Sequence, residues 1–310
     1  MYLVTGAAGH FGRLVIGSLL NDQKIPASQI IATTRKPETL ADLAAKGIQV
    51  RAADFNDPET LATAFKGADR LLLISTDALD KPGLRLAQHK TAVAAAEKAG
   101  VTHVVYTSLP VPETSAVSFA PDHLGTEQAI AASKIPGWTI LRNNWYAENL
   151  LHSLPHALAS GAWYSAAGDG RIAYVARADE AKSAAAALAA KATGKTTYTL
   201  TGTKGLTTRE IAALVSAAVG KPLAVVDVPE EGLVKGMTGA GIPEPVARVF
   251  ASFDTAARKG DLAMVTDDVK KLTGKEPQSF ELVACRQQGR FCGVSEISAR
   301  KDRTRSFLAR

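Results

Sequence analysis

Short apolar runs alternate with longer amphipathic stretches along the first half of the chain. The runs at 1–5, 29–34, 48–52, 70–75, 102–107 and 138–142 read as strands. The stretches at 11–21, 37–46, 58–66, 83–99 and 122–134 carry apolar residues at helical spacing and read as helices. Pro37 and Pro58 sit near helix starts, where a missing N–H costs little, and Asp57 is a natural cap. Runs such as LLLIS (71–75) and HVVYT (103–107) are apolar without alternation, as strands covered on both faces are. Strands alternating with helices predict an α/β fold, a Rossmann-type doubly wound parallel sheet.

After about residue 145 the rhythm changes. Residues 145–160 read as one helix, 161–175 as turns around one strand, 178–192 as a helix and 196–202 as a short strand. A capped helix at 206–220 ends in glycine, 222–229 is a strand, and 230–275 is helical and loop-rich, broken at 239–245. The expected division is a Rossmann-type domain over 1–150 and a smaller C-terminal α/β region over 151–280. The basic tail at 281–310 has no clear period; a disordered extension and a shifted reading frame both account for it.

Composition narrows the class. The chain has 310 residues, 46% hydrophobic and 21% charged, ordinary for a globular protein with a large core. No apolar run approaches a membrane span, and the N-terminus enters a strand without a basic region, so neither a membrane segment nor a signal peptide is expected. The tail holds seven Lys/Arg and three Asp/Glu; the remainder, with 29 basic and 27 acidic residues, carries only +2. The basic balance therefore makes no case for nucleic acid. Cys285 and Cys292 form no disulfide framework and, with no histidine nearby, no metal site, and they fit a reducing cytoplasm. A homo-oligomer stays open.

The first candidate chemistry lies in Thr5-Gly6-Ala7-Ala8-Gly9-His10-Phe11-Gly12, between the first strand and the first helix. Gly6 permits a tight turn, Gly9 lets backbone approach a phosphate, and Gly12 lets the helix pack closely; the helix N-terminus then offers N–H groups to a pyrophosphate. A glycine-rich surface turn is the bland alternative for the bare pattern. His10 and Phe11 open the helix and count with the glycines as cofactor-binding candidates.

Ligands bind at the carboxyl ends of strands in such sheets, which selects further residues. Arg35, after the second strand, stands where an acid would hold a ribose 2′-hydroxyl, and an arginine instead pairs with a 2′-phosphate, so NADP(H) is favoured over NAD(H). Asp54 and Phe55 follow the third strand, beside adenine, although Asp54 equally suits a helix cap. Ser75 and Thr76 fall near the nicotinamide ribose, and Tyr106 and Thr107 on the nicotinamide side. Asn143 and Tyr146, in RNNWYAEN (142–149), would line an acceptor pocket, with Trp145 either beside them or in the core.

A Tyr-x-x-x-Lys pair, which lowers a tyrosine pKa in alcohol dehydrogenases, is missing: His123 and Glu127 take those positions and Tyr106 is followed at that spacing by Pro110. His123 remains a candidate acid, or a structural helix-face histidine.

TGAAGHFG (5–12), PASQII (26–31), IQVRAADFNDPETL (48–61), YTSL (106–109), DHLGTEQAI (122–130), LRNNWYAEN (141–149) and AAGDGRIAYVARADEA (166–181) together resemble the NmrA-like, atypical short-chain dehydrogenase/reductase family, over roughly residues 1–275. The resemblance implies a Rossmann domain, a smaller C-terminal domain and NADPH-dependent reduction of quinones or similar planar acceptors. It implies that Gly6, Gly9, Gly12, Arg35 and Ser75 hold cofactor and that Asn143 and Tyr146 face substrate. Some members bind dinucleotide without turnover, so an NADP-binding redox sensor is the alternative. The 281–310 tail does not match the family.

Overall fold

Each apolar run of the first half becomes a parallel strand, joined to the next by a crossover. In chain order these are β1 (Tyr2–Val4), α1 (His10–Asn21), β2 (Ile30–Thr34), α2 (Ala41–Ala44), β3 (Gln49–Ala52), α3 (Pro58–Phe65), β4 (Arg70–Leu73), α4 (Leu84–Lys98), β5 (His103–Ser108), α5 (Ala120–Ala132) and β6 (Gly137–Asn143). The second half adds α6 (Leu154–Ser160), β7 (Ala162–Ser165), β8 (Arg171–Ile172), α7 (Arg177–Ala189), β9 (Lys195–Leu200), β10 (Leu206–Thr207), α8 (Thr208–Val219), β11 (Ala224–Asp227), α9 (Glu230–Gly239), α10 (Glu244–Lys259) and α11 (Asp268–Thr273). The computed structural model describes residues 1–79, 81–281 and 283; Cys285, Cys292 and nearly all of the basic tail lie outside the described residues.

The main sheet has seven parallel strands in the order β3-β2-β1-β4-β5-β6-β9. Strand order reverses direction between β1 and β4, opening the crevice in which such sheets take ligands. Alternation divides the strands between two cores. Val4, Leu72, Val105, Leu141 and Leu200 face α1 and α7, while Leu3, Leu71, Leu73, Val104, Tyr106 and Ile140 face the layer of α3, α4 and α5. Each fully buried Leu or Val contributes roughly 1.5–3 kcal/mol of transfer free energy.

The expected division near residue 150 is crossed by the chain. α7 packs against α1, and β9, expected in the smaller region, pairs with β6 as the seventh strand. Arg70 fixes this return: it is buried and donates to Leu188 O (2.7 Å), Ala192 O (3.1 Å) and Ala187 O (3.3 Å) at the end of α7. A fixed cation there satisfies carbonyls the helix leaves open and complements its dipole.

The remaining elements build a second core around Leu150, Leu154, Tyr174, Ile211, Val215, Phe253 and Leu262. Two expectations are corrected here. Residues 145–160 are not one helix, because Pro155 cannot donate to a preceding turn; a 3-10 segment, Ala147–His152, gives way to α6 with proline in its first turn. Residues 161–175 hold two strands: β7 pairs in parallel with β11 and β8 antiparallel with β10. α8 is capped as expected; the cap is a reciprocal box, Thr207 accepting from Glu210 N while the Glu210 carboxylate accepts from Thr207 N, and the helix ends at Gly220 in the left-handed region.

Candidate active site

The glycine turn is fixed at both ends. Thr5 Oγ1 donates to Leu72 O (3.0 Å) and accepts from Ile74 N (2.9 Å), and Ala7 N donates to Thr33 O (3.0 Å), so the loop is tied to β4 and β2. Gly6 has φ +58°, a conformation that costs glycine little. A Cβ on Gly12 would stand 2.5 Å from Gly6 O and 2.8 Å from Ala7 Cα, so Gly12 is required by the turn itself. At α3 Asp57 accepts from Glu59 N and Thr60 N, at α8 Thr207 accepts from Glu210 N, and at α7 Glu148 accepts from Arg177 N. α1 starts at Gly9 with no side-chain cap and no acid in its first turn. Its open N–H groups and dipole, above a bare glycine cradle, fit a dinucleotide pyrophosphate.

Arg35 lies exposed just beyond β2. Asp54 is not the cap of α3, which is Asp57; its Oδ1 accepts from Asn56 N (2.9 Å) and Asn56 Nδ2 (3.1 Å) and shapes the loop after β3. Phe55 packs, partly buried, on the core beside α3 and α4.

The loop after β4 is braced from below. Thr107 Oγ1 accepts from Ser75 N (2.9 Å) and lies 3.3 Å from Ser75 Oγ. Thr76 N donates to His89 Nε2 (3.0 Å), and Thr76 O accepts from Arg85 Nε (2.7 Å). Arg85 can only donate, so in its 3.0 Å contact with His123 Nε2 the histidine accepts, and the His123 proton sits on Nδ1, 2.9 Å from Tyr106 Oη. Thr126 Oγ1 donates to Asp122 O and so accepts from His89 Nδ1 (2.9 Å). These contacts join β5, α4 and α5 in one closed network.

Two assignments made from sequence are corrected by this network. Tyr106 is 0% exposed on the α4–α5 face of the sheet and cannot touch a ligand in the crevice; burial raises its pKa. His123 is buried with both ring nitrogens engaged, and burial, then Arg85 and His89, hold its pKa well below the usual value. It is a neutral structural group, not a proton donor at the crevice. Burial and then Arg85 likewise push His89 down to about 3. Glu127, at the lysine spacing from His123, accepts from Arg142 (2.7 Å) and from Ser108 Oγ (2.6 Å).

Asn143 and Tyr146 come together with the dinucleotide loop. The Tyr146 ring stacks on Phe11 (centroids 6.1 Å apart, planes 30°), and the Arg177 guanidinium lies 4.7 Å over it. Arg177 also contacts His10 Nδ1 (3.2 Å) and donates to Asn149 Oδ1 (3.1 Å). Burial, followed by the charge of Glu180, raises the Tyr146 pKa well above the ordinary range, while Asn143 and Arg177 oppose it. Trp145 belongs to the second core, against Phe253 at 3.5 Å. Trp163 packs partly buried on that core, and Tyr164 stands exposed.

Arg85, His89, Arg177 and Glu180 were not legible as site residues. For the last two a signal existed: a run of charge, RADE (177–180), opens an otherwise alanine-rich helix.

Comparison with known proteins places these features in a family. The NmrA-like family model matches residues 2–281. Quinone oxidoreductase 2 of Escherichia coli is 39% identical over 274 residues, covering 88% of this chain and 94% of the relative. Its crystal structure with NADPH superposes with a TM-score of 0.87 at 37% identity, over 92% of this chain and 99% of that one. The Citrobacter sp. triphenylmethane reductase complexed with NADP(H) gives 0.85 at 38% identity, over 92% and 99%. The NAD(P)H azoreductase of Xenophilus azovorans is 30% identical over 90% of this chain and 95% of its own length. With the glycine cradle, the doubly wound sheet and the paired aromatics in place, the chain belongs to the NmrA-like family.

Proposed function

We propose that this protein is an NADPH-dependent reductase that delivers a hydride to a quinone or similar planar acceptor, working in the cytoplasm. The observation that carries the reading is the uncapped start of α1, whose Phe11 stacks on Tyr146: the anion cradle and the aromatic wall of the acceptor side are one contiguous surface. Relatives that act on quinones, azo compounds and triphenylmethane dyes support a flat acceptor.

NADPH, when bound, supplies the hydride. Gly6, Gly9 and Gly12, with the N–H groups of His10 and Phe11, take the pyrophosphate, and Arg35 pairs with the 2′-phosphate. The loop of Ser75 and Thr76, held by Thr107, His89 and Arg85, orients the ribose next to the nicotinamide. Asn143 and Tyr146 position the acceptor, Asn143 through its amide and Tyr146 through its ring and hydroxyl. A quinone that accepts hydride becomes an aromatic, delocalised anion, a much weaker base than an alkoxide, so a Tyr-Lys dyad is not needed. Positioning and exclusion of water supply most of the rate. No helix among the described residues is long and apolar enough to cross a membrane.

NADPH oxidation followed with and without 1,4-naphthoquinone tests the proposal. Acceptor-dependent turnover is expected. Tight NADPH binding without turnover on quinone, azo or triphenylmethane acceptors would leave the sensor reading in its place.

A further inference from the structure

Among the described residues, Glu180 is the carboxyl group buried with neither oxygen hydrogen-bonded. It lies in the first turn of α7 and is 0% exposed. Its neighbours on the helix are used differently: Asp179 accepts from Gln278 N (2.7 Å) and Gln278 Nε2 (3.0 Å), and Arg177 spans His10, Tyr146 and Asn149. A carboxyl left unsatisfied inside a protein is a costly arrangement, and it persists where something other than packing requires it. A second unsatisfied atom lies in the same cluster. Asn143 Oδ1 is buried without a partner, at the carboxyl end of β6. Tyr146 interacts with both Asn143 and Glu180, but closes no bond of ordinary geometry with either.

We propose that Glu180 is a positioning residue for proton delivery, passing a proton through the Tyr146 hydroxyl to the reduced acceptor. The inference rests on the quinone-reductase reading. In balance, the acceptor takes a hydride and so gains two electrons and one hydrogen, leaving negative charge on its oxygen. The Tyr146 O–H breaks as the acceptor O–H forms. The Glu180 O–H breaks as the Tyr146 O–H is restored. The Glu180 carboxylate, beside Arg177, regains its proton from water as product leaves. The sum is one reduced nicotinamide, one acceptor and one proton converted to oxidised nicotinamide and a hydroquinone.

The charged surroundings suit this use. From the segment after β6 come Tyr146 and Glu148, from α7 itself Arg177 and Asp179, and from the facing end of α1 His10, reached through Arg177. The sheet beneath presents aliphatic side chains, α11 turns Asp268 toward Thr199 N and Lys271, and Arg70 lies at the far end of α7. Burial holds the Glu180 pKa well above the usual carboxylate range; Glu148 and Asp179 add to this, while Tyr146 and Arg177 oppose it, and the balance favours the protonated form.

Three measurements on the full chain test this. Infrared spectra of the protein without cofactor at pH 7 should show a protonated-carboxyl band that Glu180→Gln lacks. Turnover of 1,4-naphthoquinone should fall on the alkaline side in the wild type. In Glu180→Gln, kcat should drop about tenfold and that limb should vanish, with NADPH affinity within twofold. Tyr146→Phe, which cuts the link but keeps Glu180, should lose the same limb while keeping the infrared band. A missing band, or either variant retaining the wild-type kcat and pH profile, overturns the proposal. If Glu180→Gln does not fold, the Tyr146→Phe profile and the wild-type band decide. Absence of quinone turnover in the wild type removes the function reading and the relay together, whereas full turnover with no band removes the relay alone.

Discussion

Substituting alanine at Gly12 isolates the anion cradle from the rest of the fold. The added methyl would meet Gly6 O at 2.5 Å, Ala7 Cα at 2.8 Å and Gly6 C at 3.0 Å, against ordinary contact from 3.4 Å. All three are backbone atoms, so no rotamer absorbs the clash and the turn must retreat by about 0.9 Å. Overpacking of this kind costs about 1–3 kcal/mol. Alanine at a helical position returns about 1 kcal/mol. Net stability should therefore fall by only about 0–2 kcal/mol. Binding should suffer more. Each charge-assisted bond from the turn to a phosphate is worth ~1.5–3 kcal/mol. Losing one or two weakens NADPH by about 1.5–6 kcal/mol, roughly tenfold to 20,000-fold in Kd. Gly17 is the internal control, since a Cβ there meets nothing within 4 Å. Gly17→Ala, in the same helix, should raise stability by up to ~1 kcal/mol and leave binding unchanged. Fluorescence titration with NADPH and thermal denaturation of both variants provide the check. A Gly12→Ala protein that binds NADPH within about threefold of wild type would refute the cradle.

Arg35→Ala should raise the KM for NADPH about tenfold or more, the value of one charge-assisted bond, and leave that for NADH nearly unchanged; equal effects on both coenzymes would sink the 2′-phosphate assignment. His123→Ala strands Arg85 Nη2, leaves Tyr106 Oη only its longer contact with His89 Nδ1 (3.4 Å) and opens a cavity, so it should cost ~2–4 kcal/mol in urea denaturation. Its kcat should stay within about tenfold of wild type, and a thousandfold loss in folded protein would reinstate it as an acid. His89 and His103 are held neutral, pushed down by burial to about 3 and about 4, and burial holds His123 well below its usual value. Unfolded histidines take protons near pH 6.5, so the unfolded state binds more protons below that pH and stability falls as pH drops toward the folded values, at up to ~1.4 kcal/mol per pH unit per histidine. Urea midpoints measured from pH 7 to 5 should show this slope and lose about one proton of it in His103→Gln; a midpoint independent of pH would contradict it.

The backbone requirements were the readable part of the sequence. Gly6 and Gly12 are dictated by a turn that side chains would obstruct, and the carboxyl ends of β2 and β4 follow from where each apolar run stops. Asp57 and the capped start of α8 were readable for the same reason, because caps act within a few residues. What stayed hidden was the side of the sheet a residue faces. Every residue of β5 is buried, so alternation carries no contrast, and Tyr106 was indistinguishable from its neighbour Thr107, which braces Ser75. Partners distant along the chain were equally silent. His89 and His123 lie on different helices and are joined through Tyr106 and through Thr76 and Arg85, and no local pattern marks them as neutral. Glu180 reads as one more solvated helix acid, because Tyr146 and Glu148, which face it, lie far back along the chain. β9 is an ordinary short strand until Arg70 fixes the end of α7 and its edge position follows.

The two excursions from the main sheet, 144–176 and 201–266, have a practical consequence. Both leave and rejoin at one rim: Asn144 N bonds to Leu200 O, Ala147 N to Val175 O, Gly202 N to Ala173 O and Thr266 N to Thr201 Oγ1. The hydrogen bonds at their roots are therefore mostly main-chain, independent of what the segments carry farther out. Swapping both as a cassette between relatives, with their joints retained, should transplant acceptor preference while the coenzyme half stays as it is. Swapping one alone would mismatch the shared packing of Trp145 and Phe253. Tyr146 on Phe11 and Glu148 on Arg177 N are the joints such a cassette must keep, and diversification beyond them can proceed with little disturbance of the main sheet.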